Sequence, residues 1–201
     1  MKILFTFLLF FGTIGFVFSQ DVDNKIETKK QELSKNKVDT FITYFVNCIG
    51  WRQYRNMNDS CNFMETKYLF WVKNGLFYKQ KFTNCETYIE NKLETSNFLK
   101  VVLNNIDSIK NDEILPVENY ERDSLGVIDR NNLVISSIID HSCITKFVFT
   151  INKTTFSKRI NQFDLDQKMV NEQCINDNYE LNQKSILKTI KDLVELEKQN
   201  K

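Results

Sequence analysis

The apolar positions fall into stretches of different period, and the period changes mark the elements. Val38, Phe41, Ile42, Phe45, Val46 and Ile49 recur at helical spacing, with Asp39 and Thr40 near the start and Gly50 as the stop. The pattern predicts a helix there, and the polar, lysine-rich residues 21–37 either extend it outward or stay mobile. The strongest local signal runs from Tyr68 to Phe82, where two aromatic, β-prone stretches flank Asn74-Gly75. That dipeptide tolerates the positive φ of a tight turn, so the segment predicts a β-hairpin.

Leu99, Val102, Leu103, Ile106 and Ile109 give a second helical stripe between Ser96 and Lys110. Pro116 stops any continuation, and residues 111–131 read as a polar connector holding a short strand at Gly126 to Asp129. Leu133 to Ile139 and Cys143 to Ile151 are the next expected strands, joined across Asp140-His141-Ser142. A last helix is expected from Leu181 to Lys198, with Ile186, Ile190, Leu193 and Val194 on one stripe. Strands that arrive as local hairpins point to an α+β fold: an antiparallel sheet built from two β-hairpins, with about three helices packed on one face. Neither a G-x-G-x-x-G nor a P-loop is present, so nucleotide binding by a doubly wound sheet has no support.

The N-terminus changes this picture. Lys2 followed by the apolar run Ile3 to Phe18, then Ser19, reads as a signal peptide over 1–20, with residues 21–201 forming a single secreted α+β domain. The run of 16 residues covers about 24 Å as a helix, short of a ~30 Å hydrocarbon core, so cleavage is preferred to a membrane anchor. Removal takes away one base, leaving 26 acids matched by as many bases. Without a basic surplus to neutralise phosphates, nucleic-acid binding is excluded as a leading reading. The expected location is secreted or periplasmic, with no membrane attachment after cleavage.

Export makes the five cysteines legible, because an oxidising compartment favours disulfides. None lies in a CxxC pair, and the odd number leaves one thiol over. Cys61 and Cys85 flank the hairpin, but a two-residue turn makes paired numbers sum to 149 and puts them on opposite faces. One extra residue in the turn makes the sum 148 and brings them to one face, so this bridge depends on register. Cys143 with Cys174 is the complementary pair, which leaves Cys48 as a small hydrophobe buried on its helix.

Candidate chemistry is sparse. His141, the single histidine, lies two residues from Cys143, which raises the reading of a thiol nucleophile with its base. The plainer reading is a polar turn in which Asp140 and Ser142 bond local backbone. Asp164 and Asp166 lie on one side of an extended chain, as a divalent ion would require, but capping of a short helix accounts for them better. Glu86, Glu90 and Glu94 recur at helical spacing and read as a solvated face. No metal site and no cofactor is expected.

The aromatic residues are concentrated, with 13 of the 20 beyond residue 20 falling between Phe41 and Tyr88. Within them Trp51, Arg52, Tyr54 and Arg55 place two stacking rings beside two guanidinium groups, and Trp71 and Tyr78 would extend such a surface. The competing reading makes these rings core and cross-strand pairs. Asn58-Asp-Ser60 and Asn152-Lys-Thr154 match the glycosylation sequon. Together these features predict a non-enzymatic binding or interaction protein engaging a protein, peptide or glycan. The alternative is a small secreted hydrolase or thiol enzyme using His141 with Cys143 or nearby carboxylates.

Overall fold

The computed structural model describes residues 22–48, 65–136, 142–167, 169–170, 173–174 and 176–199. The expected signal peptide therefore lies outside the described residues. The chain opens with helix α1 (Val22–Lys35), which turns at Lys37 into strand β1 (Thr40–Cys48). Strands β2 (Thr66–Lys73) and β3 (Leu76–Thr83) follow, then the short β4 (Asn91–Leu93). Helices α2 (Asn97–Asn104) and α3 (Ile106–Asn111) lead to a ribbon of β5 (Glu118–Arg122) and β6 (Ile128–Ser136). Strands β7 (Cys143–Ile151) and β8 (Thr154–Asn161), a 3-10 turn at Gln162–Leu165 and the short pair β9 (Met169–Val170) and β10 (Gln173–Cys174) come next. Helices α4 (Tyr179–Lys184) and α5 (Ile186–Gln199) close the described chain.

Six strands form one sheet in the order β4-β3-β2-β1-β7-β8, and every pairing is antiparallel. Two hairpins flank β1, each with a two-residue turn in the left-handed region: Asn74-Gly75 between β2 and β3, and Asn152-Lys153 between β7 and β8. Positive φ at both turn residues matches the right-handed twist of the strands, which fixes both registers. In the first hairpin Lys73 pairs with Leu76 and Thr66 with Thr83, the tight-turn register, and Cys85 falls beyond the end of the ladder.

Several expectations are corrected here. The segment at Val38 to Ile49 is not a helix: Thr40–Cys48 is the strand between the two hairpins. Its helical periodicity arises because both of its faces are covered. Phe41 packs in the cluster under α1, while Ile42 and Tyr44 pack in the cluster under α2 and α5, so apolar residues occupy both parities. Residues Val22–Lys35 form a helix of their own, whose Val22, Ile26 and Leu33 are buried. The second hairpin is β7 with β8 rather than 133–139 with 143–151, since β6 pairs with β5 in a separate ribbon. Glu86, Glu90 and Glu94 are exposed as expected, but on the loop and short strand around β4, and Glu90 meets Lys29 at 3.0 Å.

The helices are also not confined to one face. On one side α2, α3 and α5 cover Phe70, Phe147, Phe149 and Ile160. Edge-on and stacked rings fill this layer, with Phe70 and Phe98 at 5.0 Å and Phe149 and Phe156 at 4.8 Å between centroids. On the other side α1 packs over β2 and β3, closing on Leu69, Trp71 and Phe82.

Charged groups fix the helices to the sheet. Glu197 of α5 is buried and accepts from Ser96 Oγ at 2.8 Å and from Phe98 N at 3.0 Å, so a distant carboxylate caps the start of α2. Lys79 donates to the Glu197 carbonyl at 2.6 Å; burial pulls its pKa down, against the pull of the Glu197 charge. Two residues earlier Glu195 accepts from the Tyr44 hydroxyl and meets Lys198 at 2.5 Å. Burial works to raise the Glu195 carboxyl, but the bonds from Lys198 and Tyr44 outweigh it and hold it below the ordinary glutamate value.

A third set of polar contacts holds the loops. Asn176, Asn178 and Asn182 are buried and bridge backbone groups far away in sequence: Asn178 Nδ2 donates to Pro116 O at 2.9 Å, Asn182 Nδ2 to Leu115 O at 2.8 Å, and Asn176 Nδ2 to Asp166 O at 2.8 Å. Asp177 accepts from Tyr120 N at 2.8 Å and from Arg122.

Two outcomes follow from this packing. Trp71→Ala removes a fully buried ring and should cost about 3 to 5 kcal/mol in a urea titration; a ring reserved for ligand contact would leave stability unchanged. A carboxyl held lower in the folded chain than in the unfolded one stabilises the fold above its ordinary value, and that contribution disappears as pH falls through the folded value. Stability should therefore decline on acidification below 4.5, the ordinary glutamate value, and Glu195→Gln should flatten that decline relative to the parent protein.

Candidate functional site

The site follows from how little of a sheet one helix can cover. A helix is about 10 Å across and strands lie about 4.8 Å apart, so a single helix spans roughly two strands. With α1 seated on β2 and β3, no helix among the described residues covers the same face of β7 and β8. Between them lies a groove of about 820 Å³. Its floor is Phe41 of β1 with Val148 and Thr150 of β7, Thr155 of β8 borders it, and Lys30 and Lys35 are among the α1 residues that form its wall.

The register explains this lining. Phe41 pairs with Thr150 and Thr150 with Thr155, giving one row across three strands; Thr43, Val148 and Ser157 form the next, and Phe45, Lys146 and Arg159 the third. Phe45 carries cations on two sides, Lys67 Nζ at 4.6 Å and Lys146 Nζ at 5.7 Å from the ring centroid. Burial works to lower the Lys67 pKa, but hydrogen bonds to Asp23 and Glu65 prevail and raise it. Thr43 is only 5% exposed and its hydroxyl has no hydrogen-bond partner among the described residues.

The two flanks of α1 differ. Away from the groove Lys25 donates to the carbonyls of Thr83 and Asn84 at 3.0 and 2.9 Å, and Lys29 pairs with Glu90, so that flank is pinned to the β3–β4 region. Toward the groove Lys30 pairs with Glu27 of its own helix at 2.8 Å, while Lys35 has no ion pair among the described residues. Arg159 likewise has none. Glu27 lines the groove with Lys30 and offsets its charge, so the groove is a polar channel with a short apolar floor whose unpaired cations among the described residues are Lys35 and, beside it, Arg159.

The residues singled out from the sequence are distributed differently. Trp71 is 1% exposed and stacks on Tyr78, with centroids 5.5 Å apart and planes at 8°. It belongs to the core under α1, and Tyr78 is half-buried beside it, so Trp71 is not a ligand-facing ring. Trp51, Arg52, Tyr54 and Arg55 lie outside the described residues, as do Cys61 and His141. Asn161 rather than an aspartate caps the 3-10 turn, accepting from Phe163 N at 3.2 Å, and Asp164 accepts from Val117 N at 3.3 Å. Among the described residues no group of three or more His, Cys, Asp or Glu side chains is placed to hold a metal ion.

The cysteines are paired otherwise than expected. Cys48 and Cys143 face each other at the last register position of β1 and β7, with Cα atoms 3.9 Å apart, and are joined by a disulfide. Cys143 is therefore bonded to Cys48 and not to Cys174, and Cys48 sits on a strand rather than within a helix. Cys85 is disulfide-bonded as well. The bond at Cys48 fastens the end of the sheet from which the chain leaves β1 and enters β7.

The groove itself had no signal in the sequence, because it depends on α1 lying across a sheet whose far half comes from residues over a hundred positions later. Along β7 Lys146, Val148 and Thr150 alternate with Phe147, Phe149 and Ile151, and the floor residues belong to the first set. Comparison of the chain with protein-family models, with curated proteins and with solved structures returns no match. No helix among the described residues is long and apolar enough to cross a membrane.

Non-reducing peptide mapping should recover Cys48 joined to Cys143, with Cys143 inert to alkylation until the protein is reduced. Recovery of a Cys143 to Cys174 linkage, or rapid alkylation of Cys143, would contradict this geometry.

Proposed function

We propose that this chain is a non-catalytic interaction protein of an oxidising compartment, secreted or periplasmic, which holds a segment of a partner protein in the groove between α1 and the β7–β8 half of the sheet. The observation that carries the reading is the half-covered sheet face: among the described residues one helix lies over this face of the six-stranded sheet and leaves a concave channel, and preformed concave sites lose little ordering entropy on binding. The Cys48–Cys143 disulfide supports the oxidising compartment. It also speaks against the thiol-enzyme alternative, because the sulfur that would act as nucleophile is engaged in a bond.

The test is a groove plug. Val148→Trp fills the floor without touching the disulfide or the face under α5. Immobilised parent protein should retain a defined partner from the conditioned medium of the producing cells, and the Val148→Trp protein, at unchanged melting temperature, should not. Equal retention by both would overturn the groove. Loss of the partner in a combined Arg52→Ala, Tyr54→Ala and Arg55→Ala protein, with retention by Val148→Trp, would move the site to that segment.

A further inference from the structure

The outer edge of the sheet beside the groove is open, and its chemistry specifies what it can take. Among the described residues strand β8 pairs only with β7. The two-residue turn makes Ile151 and Thr154 the closing pair, which exchanges both of its backbone hydrogen bonds, so hydrogen-bonded and non-hydrogen-bonded pairs alternate from there. By that alternation Thr155, Ser157 and Arg159 direct their N–H and C=O groups away from β7. These outward groups have no partner among the described residues. The same three residues are exposed and lie on the groove side of the sheet, whereas Phe156, Lys158 and Ile160 turn toward the other face.

Charge selects the occupant. From Cys143 to Asn161 the chain carries Lys146, Lys153, Lys158 and Arg159 and no acid, in a protein whose charges are otherwise nearly balanced. Lys35 faces the same channel from α1. A second copy of this chain paired along β8 would bring two such basic hairpins together, which disfavours self-association. We infer that β8 accepts an extended acidic segment of a partner protein as a seventh strand, its backbone bonding to Thr155, Ser157 and Arg159 and its groove-side carboxylates meeting Arg159 and Lys35. This deepens the groove reading and rests on it. Main-chain bonds along the edge supply the affinity, and alternate side chains in the channel supply the choice of partner.

The experiment uses the whole protein and two panels of ten-residue peptides, one alternating Glu with Val, Thr, Tyr or Phe and the other with Lys in place of Glu. Members of the acidic panel should bind and slow hydrogen exchange at the amides of Thr155, Ser157 and Arg159, and the basic panel should not. Ser157→Pro removes one outward N–H while sparing the β7 ladder, and should weaken binding about tenfold. The double change Lys35→Glu with Arg159→Glu should turn the preference toward the basic panel. The inference is overturned if no acidic member binds, if both panels bind alike, or if those amides are already protected in the isolated monomer. It is also overturned if the protein is a dimer that Ser157→Pro dissociates. Retention of the partner by Ser157→Pro but not by Val148→Trp would keep the groove and reject strand addition, whereas retention by both would reject the groove itself.

Discussion

The structure depends on β1 being covered on both faces and paired on both edges. Its residues Phe41 to Phe45 pair with β2 on one side and all nine pair with β7 on the other, so it joins two hairpins that are distant in sequence into one sheet. A strand in that position has no solvent-facing side chains along most of its length, and Thr40 to Tyr44 are all buried. Each face then requires its own cover. α5 with α2 and α3 provides one, and α1, arriving directly before β1 through the Lys37 turn, provides the other.

The same constraint explains which parts of the fold were legible. The hairpin at Asn74-Gly75 was readable because its register is set within a few residues, and the aromatic alternation of β7 because one face is buried and the other partly wet. β1 was misread because apolar residues on both parities mimic a 3.6-residue period when the only available test is spacing. Its composition, Thr-Phe-Ile-Thr-Tyr-Phe-Val, carries the β-branched and aromatic bias that arbitrates such cases. Of the ribbon of β5 and β6, the sequence showed a short strand at Gly126 to Asp129 and a strand from Leu133 that overlap β6, but not β5 or their pairing, since what positions the ribbon comes from elsewhere: Asp177 and Asn178 bind Tyr120 N and Glu118 across more than fifty residues. Of the candidate site, only the floor alternation left a trace in the sequence. The groove is a consequence of relative coverage, and no local pattern encodes that.

Polar groups decide how firmly each layer is held. Glu197 reaches from α5 to the start of α2, and Asn176, Asn178 and Asn182 reach from the α4 region to the backbone at Leu115, Pro116 and Asp166. Bonds of this kind contribute modestly when made, but a buried partner left unsatisfied costs more, so they select one arrangement of helices over its alternatives. On the other face α1 is fastened to the sheet by Asp23, which pairs with Lys67 of β2, and by Lys25 and Lys29 on the β3–β4 side. The groove flank carries the tie from Asp23 to β2 but none to β7 or β8 among the described residues, the side on which a channel has to remain open.

An open edge beside an open channel is a liability as well as an opportunity. Edge strands invite pairing with any exposed strand, and proteins commonly guard them with charge. β8 carries Lys158 and Arg159 in its second half and follows Lys153 in the turn, so approach of another copy brings like charges together. Lys158 is anchored inward to the carbonyls of Lys110 and Asp112, which holds the strand against α3, whereas Arg159 stays exposed on the channel side. The charge that discourages self-pairing therefore does not close the edge; it restricts which strands can complete it, and one set of residues performs both the exclusion and the selection.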